Sequence, residues 1–308
     1  TICTAAVFSG QNCRNVPKPT SNSWGAMNKE QQAITRLRLA AEMSETYYHA
    51  PLVITTSGGK DSDVCLALAR AAGIRYEVQH NHTSVDAPET VYHVRETFHR
   101  LENEGIKCTV NLPMFKGARV TMWSLIPQKL MPPTRVVRYC CSVLKEQGGK
   151  GRMITTGVRW AESAKRRKNR GIYEKQSADI SRRITISNDN DDARRLFENC
   201  RLQAKRVCNP IVDWTDSDVW GYIRSEHIPV NLLYERGFHR VGCIGCPLAG
   251  RAGRQFEFGR YPTYRRAYLH AFERMLAERR CRNLPAVWQS GGKKCCTGGC
   301  RMVCCRGS

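Results

Sequence analysis

The stretch PLVITTSGGKDSDVCLALARAAG, residues 51–73, decides the fold. Its first six residues form a short apolar run rich in β-branched side chains, which predicts a strand. Gly58 and Gly59 then predict a tight turn, and the Ala/Leu-rich segment 64–72, closed by Gly73, predicts a helix. A strand, a glycine turn and a helix in direct succession form the repeating unit of parallel α/β sheets.

The same alternation continues along the chain. The further predicted strands are 75–80, 107–112 and 152–158, and the predicted helices are 28–48, 88–104, 216–225 and 262–280. We therefore expect an α/β fold, a doubly wound, Rossmann-like parallel sheet with a smaller C-terminal helical part that contains cysteines. Segment 159–183 is basic and poor in apolar residues, which predicts surface loops or a mobile lid.

The two ends of the chain differ in composition from the rest. Residues 1–26 are rich in Ser, Asn and Pro, which predicts a flexible extension. Residues 290–308 combine Gly, Cys, Lys and Arg with almost nothing to bury, which predicts a disordered Cys-rich tail. The nucleotide-binding domain is therefore expected to span residues 27–289.

Composition limits the class of protein. No apolar run reaches the roughly 18 residues that a membrane span needs, so we expect no membrane partner and a cytoplasmic location. In a reducing compartment the sixteen cysteines are more often metal or redox ligands than disulfides. The net charge of +22 fits a polyanionic partner such as nucleic acid or a phosphorylated substrate, and it fits equally a generally basic protein without such a partner.

The loop Ser57-Gly58-Gly59-Lys60-Asp61-Ser62 has the properties of a phosphate-binding site. Its glycines let the backbone N–H groups approach an anion, and the start of the following helix adds partial positive charge. Ser57 and Ser62 can donate hydroxyl hydrogen bonds, and Lys60 supplies a full charge. The alternative is an ordinary glycine turn capped by Asp61 or Ser62.

This loop resembles that of the PP-loop family of adenine-nucleotide α-hydrolases, in which Ser-Gly-Gly-x-Asp-Ser binds ATP. Further motifs narrow the resemblance to the phosphoadenylyl-sulfate (PAPS) reductase branch. They are TSVDAPET at 83–90, Gly157-Val158-Arg159 with Glu162 and Arg166, NPI at 209–211 and DSDVW at 216–220. The resemblance extends over about residues 50–275.

The resemblance implies ATP or a PAPS-type adenine nucleotide as ligand, together with Mg²⁺. The implied catalytic residues are Lys60, Asp61 and Arg159, and the implied nucleotide-binding residues are Ser57, Gly58, Gly59, Lys60, Asp61, Ser62, Asp86, Gly157, Arg159, Glu162 and Arg166. Chemically, Asp86 follows a strand end and suits a hydroxyl or a magnesium ion. The arginines suit phosphate oxygens, with a surface ion pair as the alternative for each.

Four cysteines form a second candidate site. Cys140 and Cys141 are adjacent, and Cys243 and Cys246 are spaced C-x-x-C. Four thiolates can complete either a zinc site or an iron-sulfur site. Iron-dependent sulfonucleotide reductases, which the chain resembles, use this arrangement for a 4Fe-4S cluster, so the resemblance implies that cluster in a region formed by 139–147 and 239–280. Zinc and unligated thiols are the alternatives.

Three functions are consistent with these features. The intact Lys60-Asp61-Ser62 resembles ATP-cleaving members, which favours an ATP pyrophosphatase that adenylates an acceptor, such as nucleic acid, for sulfur transfer from a donor protein or thiol. The second is a PAPS or adenylyl-sulfate reductase that produces sulfite. Such reductases carry a Glu-Cys-Gly motif, and this sequence contains no such triplet. The third is a nucleotide- and nucleic-acid-binding module without catalysis.

Overall fold

The computed structural model describes residues 28–149, 151–176, 184–187, 205–285, 289–290 and 293–294. The flexible extension expected at 1–26 lies outside the described residues, as does most of the disordered tail expected at 290–308. Both therefore stay predictions. None of the helices in the described residues combines the length and apolar character that crossing a membrane requires.

A seven-stranded sheet forms the centre of the molecule, in the order β3-β2-β1-β6-β9-β7-β8. Its strands are β1 (Leu52–Thr56), β2 (Tyr76–Asn81), β3 (Cys108–Asn111), β6 (Met153–Thr155), β7 (Tyr173–Gln176), β8 (Ile184–Ile186) and β9 (Lys205–Cys208). The first five in spatial order run parallel, while β7 and β8 run antiparallel to their neighbours. Two-residue pairs β4 (Met114–Phe115) with β5 (Ala118–Arg119), and β10 (Gln289–Ser290) with β11 (Lys293–Lys294), stand apart from it.

Strand β1 lies between β2 and β6. Ile54 is in register with Val78 on one side and with Thr155 on the other. From β1 the chain moves outward through β2 to β3, then returns to β6 on the opposite side of β1. The strand order therefore reverses between β1 and β6, and ligands of open α/β sheets bind at the carboxyl ends of the strands at such a switch point.

Nine helices occur in the described residues. They are α1 (Lys29–Tyr48), α2 (Lys60–Ala71), α3 (Pro88–Asn103), α4 (Met122–Lys129), α5 (Tyr139–Leu144), α6 (Ala164–Asn169), α7 (Asp216–Ser225), α8 (Gly250–Arg260) and α9 (Pro262–Cys281). Helix α1 begins where the Asn28 side chain accepts a hydrogen bond from the Gln31 backbone N–H at 2.8 Å. Helix α2 begins at Lys60, four residues before the predicted start, so part of the glycine loop is its first turn.

Two large hydrophobic cores, and a small cluster of Val53, Ile154 and Val207 on the sheet, lie in the described residues. The larger packs α1, α2, α3 and α7 on the sheet through residues such as Leu37, Leu68 and Ile54. The smaller joins α4, α5, α8 and α9 and includes Cys140 and Ile244. This second core is the smaller C-terminal helical part that the sequence predicts, although α4 and α5 are contributed from before β6.

The prediction of loops for segment 159–183 is wrong in two places. Residues 164–169 form α6, and residues 173–176 form strand β7, which pairs with β9. Ile172 and Tyr173 are both buried here, although the segment around them is mostly polar. Pairing with β9, which is distant in sequence, stabilises the strand, and local composition carries no signal for such pairing.

We predict that Gly171→Ala destabilises the protein. A Cβ at this position would overlap the carbonyl oxygen of Ile186, which is a backbone atom and cannot rotate away. Such overpacking costs about 1–3 kcal/mol in the free energy of unfolding. Gly221→Ala in α7 is the matched control, because a Cβ there meets no atom within 4 Å. Since alanine favours the helix, it should stabilise by about 0.5–1 kcal/mol.

Urea unfolding of both variants measures these changes. Equal midpoints for Gly171→Ala and the wild type would contradict the close approach of the Gly171 and Ile186 backbones.

Candidate functional site

The phosphate loop and the segment after β6 meet at the switch point of the sheet. Gly157 follows β6, and a Cβ on it lies 2.7 Å from the backbone oxygen of Asp61. Only a glycine therefore lets the two segments approach this closely. This approach places Arg159 beside Lys60 and Asp61, about a hundred residues earlier in the chain, at one edge of the sheet.

Hydrogen bonds centred on Ser62 hold the loop in shape. The Ser62 Oγ accepts from the backbone N–H groups of Ser57 at 3.3 Å and Gly59 at 3.2 Å, and it donates to the Gly59 carbonyl at 2.6 Å. Thr56 Oγ1 accepts from the Gly58 N–H at 3.2 Å. The loop is thus preformed at the positive end of the α2 dipole, where an anion is stabilised.

Gly58 is required by both its conformation and its surroundings. Its φ is +69°, and a Cβ on it lies 2.8 Å from the Thr90 methyl group. The Asn231 side-chain amide donates to the Gly58 carbonyl at 2.9 Å and to the Thr90 hydroxyl at 3.1 Å. The start of α3 and the segment after α7 therefore both support the loop.

Two buried cations share two carboxylates at this edge. Lys60 and Arg159 are only 5% and 4% exposed. Asp216 Oδ1 lies 2.7 Å from Lys60 Nζ and 3.0 Å from Arg159 Nη2. Asp61 Oδ1 lies 2.7 Å from Arg159 Nε and 3.2 Å from Lys60 Nζ. The hydrogen bond from Lys60 is the largest cause of a lowered pKa at Asp216, so this carboxylate, whose side chain is 63% exposed, stays ionised.

Glu162 and Arg166 lie at the rim of this group. A Glu162 carboxylate oxygen accepts from the Arg159 backbone N–H at 3.1 Å and pairs with the Arg166 guanidinium. The Arg166 side chain is 41% exposed. Glu162 therefore holds one arginine by its backbone and the other by its side chain.

Sequence reasoning missed three residues of the site. The Tyr234 hydroxyl accepts from the Lys60 backbone N–H at 3.0 Å, Asn231 supports Gly58, and Asp216 binds both cations. Burial raises the pKa of Tyr234, so it stays a neutral phenol. Asp216 belongs to a motif that the sequence analysis quotes, but Tyr234 is 174 residues from Lys60 and its position carries no local signal.

The four predicted cysteine ligands lie near one another, and Cys140, Cys141 and Cys243 lie in or pack against the second core. Cys140 and Cys141 are on α5, and Cys243 pairs with Asp86 in an isolated antiparallel bridge. A guanidinium nitrogen of Arg138 lies 4.0 Å from Cys141 Sγ, and one of Arg240 lies 4.0 Å from Cys246 Sγ. Burial raises the pKa of the Cys243 thiol, and the nearby charge of Lys145 opposes this rise. Three basic side chains therefore lie close enough to offset negative charge on the sulfurs.

The spacing of these thiols bears on what they can hold. Among the described residues, which include all four cysteines, no three Sγ atoms lie within 4.8 Å of one another. A zinc ion with four thiolates at Zn–S distances of about 2.3 Å brings all sulfurs to ~3.8 Å from each other. The observed arrangement is wider than a closed zinc site.

Asp86 does not contact the phosphate loop. Its carboxylate accepts from the Thr83 backbone N–H at 2.9 Å, and it lies beside His80 and His82. Asp86 is therefore attached to the cysteine segment through its bridge with Cys243, and no contact joins it to the other predicted nucleotide-binding residues among the described residues.

Comparison with known proteins gives a consistent family. The model of the phosphoadenosine phosphosulfate reductase domain matches residues 51–249 of the 308. An uncharacterized protein of Methanocaldococcus jannaschii is 29% identical over 227 residues, which are 71% of this chain and 47% of that protein. An adenosine 5'-phosphosulfate reductase of Burkholderia cepacia is 38% identical over 68 residues, which are 21% of this chain and 27% of that protein.

Among solved structures, the phosphoadenylyl-sulfate (PAPS) reductase of Candida auris has a TM-score of 0.44 at 16% identity, and the match covers 69% of this chain and 88% of that one. The chain spans less than half the length of the curated relatives named above. The match of the family model over residues 51–249 shows that the chain belongs to the phosphoadenosine phosphosulfate reductase domain family.

Proposed function

We propose that the protein is an ATP pyrophosphatase that adenylates an acceptor for sulfur transfer. One observation carries the proposal: Lys60 and Arg159, the cations suited to phosphate, share the carboxylates of Asp61 and Asp216. Two carboxylates beside an anion site repel a bare phosphosulfate but suit a polyphosphate that arrives with Mg²⁺, which prefers carboxylate and phosphate oxygens.

In the proposed reaction, residues of the phosphate loop and Arg159 act on the phosphates of ATP. The acceptor oxygen attacks the α-phosphorus of ATP, the bond from that phosphorus to the α,β-bridging oxygen breaks, and pyrophosphate leaves. Lys60, Arg159 and the backbone N–H groups of 57–62 stabilise the charge on the leaving group. A donor of the hydrosulfide class then displaces AMP from the adenylated acceptor, with no net oxidation or reduction.

Asp61 and Asp216 are the residues that would hold Mg²⁺. When bound, the ion supplies positive charge to the phosphate oxygens. In the described structure these carboxylates bind Lys60 and Arg159, so nucleotide binding requires the cations to exchange a carboxylate partner for phosphate.

Cys140, Cys141, Cys243 and Cys246 would hold a 4Fe-4S cluster. Their spacing is wider than a zinc site needs, and Lys145, Arg138 and Arg240 offset the charge of four thiolates. When bound, such a cluster supplies iron that can bind a sulfur ligand or carry one electron.

A sulfonucleotide reductase is the second candidate, because several relatives carry the name adenosine 5'-phosphosulfate reductase, one of them 38% identical over 68 residues. The two candidates differ in product. Reduction of PAPS or adenylyl sulfate yields sulfite, whereas the proposed reaction yields pyrophosphate from ATP.

We expect anaerobically purified protein to release pyrophosphate from ATP, and to do so faster when nucleic acid is the acceptor. Pyrophosphate is measured with and without tRNA or DNA, in parallel with sulfite release from PAPS and adenylyl sulfate with a thiol reductant. Sulfite without pyrophosphate would establish the reductase. Nucleotide binding with neither product would favour a binding module.

The variant Asp216→Asn should change the affinities for Mg-ATP and for metal-free PAPS in opposite directions. Removing this carboxylate should weaken binding of Mg-ATP about tenfold, the size of a charge-assisted interaction of about 1.5 kcal/mol. The same change frees Lys60 and Arg159 and should tighten binding of metal-free PAPS. Glu226→Gln, an exposed acid at the C-terminal end of α7, is the control. Dissociation constants that shift in the same direction for both ligands would contradict the role given to Asp216.

The metal content tests the cysteine site. Wild-type protein and the control Cys281→Ser, an exposed cysteine on α9, should contain about four iron and four acid-labile sulfide per chain. Cys140→Ser should lose most of both. Stoichiometric zinc with no sulfide in the wild type would refute the cluster.

A further inference from the structure

We propose that His80, His82 and Asp86 bind one divalent transition-metal ion, at a site distinct from the phosphate loop and from the four cysteines. In the part of the chain that the structure describes, one ring nitrogen of each histidine and one carboxylate oxygen of Asp86 lie within 4.8 Å of one another. This is the only group of three or more His, Cys, Asp or Glu donors found that close among the described residues.

The backbone brings these three side chains together. His80 lies near the end of β2, and His82 follows two residues later, so both point to the same side of the sheet. The chain then turns through Ser84, whose φ is +62°, and returns to Asp86. Asp86 is fixed by its bridge with Cys243 and by the Tyr264 hydroxyl, which donates to its carbonyl at 2.7 Å. Backbone contacts therefore hold the three donor residues in place without a metal ion.

The hydrogen bond of His80 sets its tautomer. Nδ1 lies 3.0 Å from the carbonyl oxygen of Thr56, and a carbonyl only accepts, so Nδ1 carries the proton. The lone pair is then on Nε2. Metal-bound histidines commonly donate their other ring N–H to a backbone carbonyl in this way. His80 is 5% exposed, so the ring is held in place by its surroundings.

Asp86 retains capacity for a metal ion. Its Oδ2 accepts from the Thr83 N–H at 2.9 Å, which orients the carboxylate and leaves further lone pairs on both oxygens. Lys145 is the competing cation near Asp86.

Two imidazoles and one carboxylate define the class of ion. This donor set suits Zn²⁺, Fe²⁺ and Co²⁺, whereas Mg²⁺ prefers oxygen donors. Three protein ligands leave coordination positions open for water or a substrate atom. The site lies beside the phosphate loop, because His80 bonds to the carbonyl of Thr56, the residue before Ser57.

The test is Co²⁺ binding to anaerobic protein with its cysteine site loaded. Equilibrium dialysis gives stoichiometry, and X-ray absorption at the cobalt edge distinguishes nitrogen and oxygen from sulfur ligands without interference from iron. We expect one cobalt per chain with nitrogen and oxygen ligands and the scattering pattern of imidazole. His82→Ala and Asp86→Asn should each weaken binding at least tenfold. His99→Ala, an exposed histidine on α3, should bind as the wild type does.

Thermal unfolding of the variants shows that each is folded. His82 is only partly buried, and asparagine at 86 can still accept from Thr83, so neither change should alter the melting temperature by more than a few degrees. Wild-type protein without bound cobalt, cobalt with sulfur ligands, or equal affinity in His82→Ala would overturn the proposal. No readout involves nucleotide, so a negative pyrophosphate assay leaves this result unaffected.

Discussion

The site depends on the burial of Lys60 and Arg159 at the N-terminal end of α2. A buried charge is costly unless it is paired, and both cations are less than a tenth exposed. Asp61 and Asp216 supply the pairing in the structure described. The same four groups then determine the ligand: an anion with several negative charges can take over the cations, and the displaced carboxylates are suited to the metal ion that accompanies it. The preformed hydrogen bonds around Ser62 mean that the backbone need not reorganise when this exchange occurs.

The two large hydrophobic cores position different sites. The sheet core positions the glycine loop through β1 and α2, and the smaller core positions the cysteines through α4, α5, α8 and α9. They are joined close to the site. Asn231 bonds to Gly58 and Thr90, and Asp86 pairs with Cys243. In the proposed function, the nucleotide at the loop and the cysteines would therefore be carried by connected parts of one scaffold, to which His80 and Asp86 also bond.

Much of the fold could be predicted because its signals are local. The apolar run before Gly58, the helix 28–48 and the helix that Thr215 caps all follow from neighbouring residues, and the last of these has the predicted bounds. Strand β9 is only four residues long and two of them are Lys and Arg, so its sequence gives no strand pattern, although Val207 and Cys208 are fully buried. Helix α4 was not predicted from the sequence, because it contains Pro127 and a proline usually interrupts a helix.

Residues of the candidate site could likewise be predicted only where their signal is local. The residues of 57–62 are contiguous and carry a motif, so they could be found from the sequence. Tyr234 and Asn231 contact the loop only in the folded chain, and two histidines two residues apart at the end of a strand carry no metal motif until Asp86 is brought beside them.

Calorimetric titration with the α,β-methylene analogue of ATP, which binds but cannot be cleaved at the proposed bond, tests the central claim most directly. The account predicts saturable heat at one site per chain in the presence of Mg²⁺, and a weaker signal with AMP, which lacks the phosphates that Lys60 and Arg159 are placed to bind. Folded protein that gives no heat with the analogue, with AMP or with PAPS would contradict the assignment of the loop as a nucleotide site.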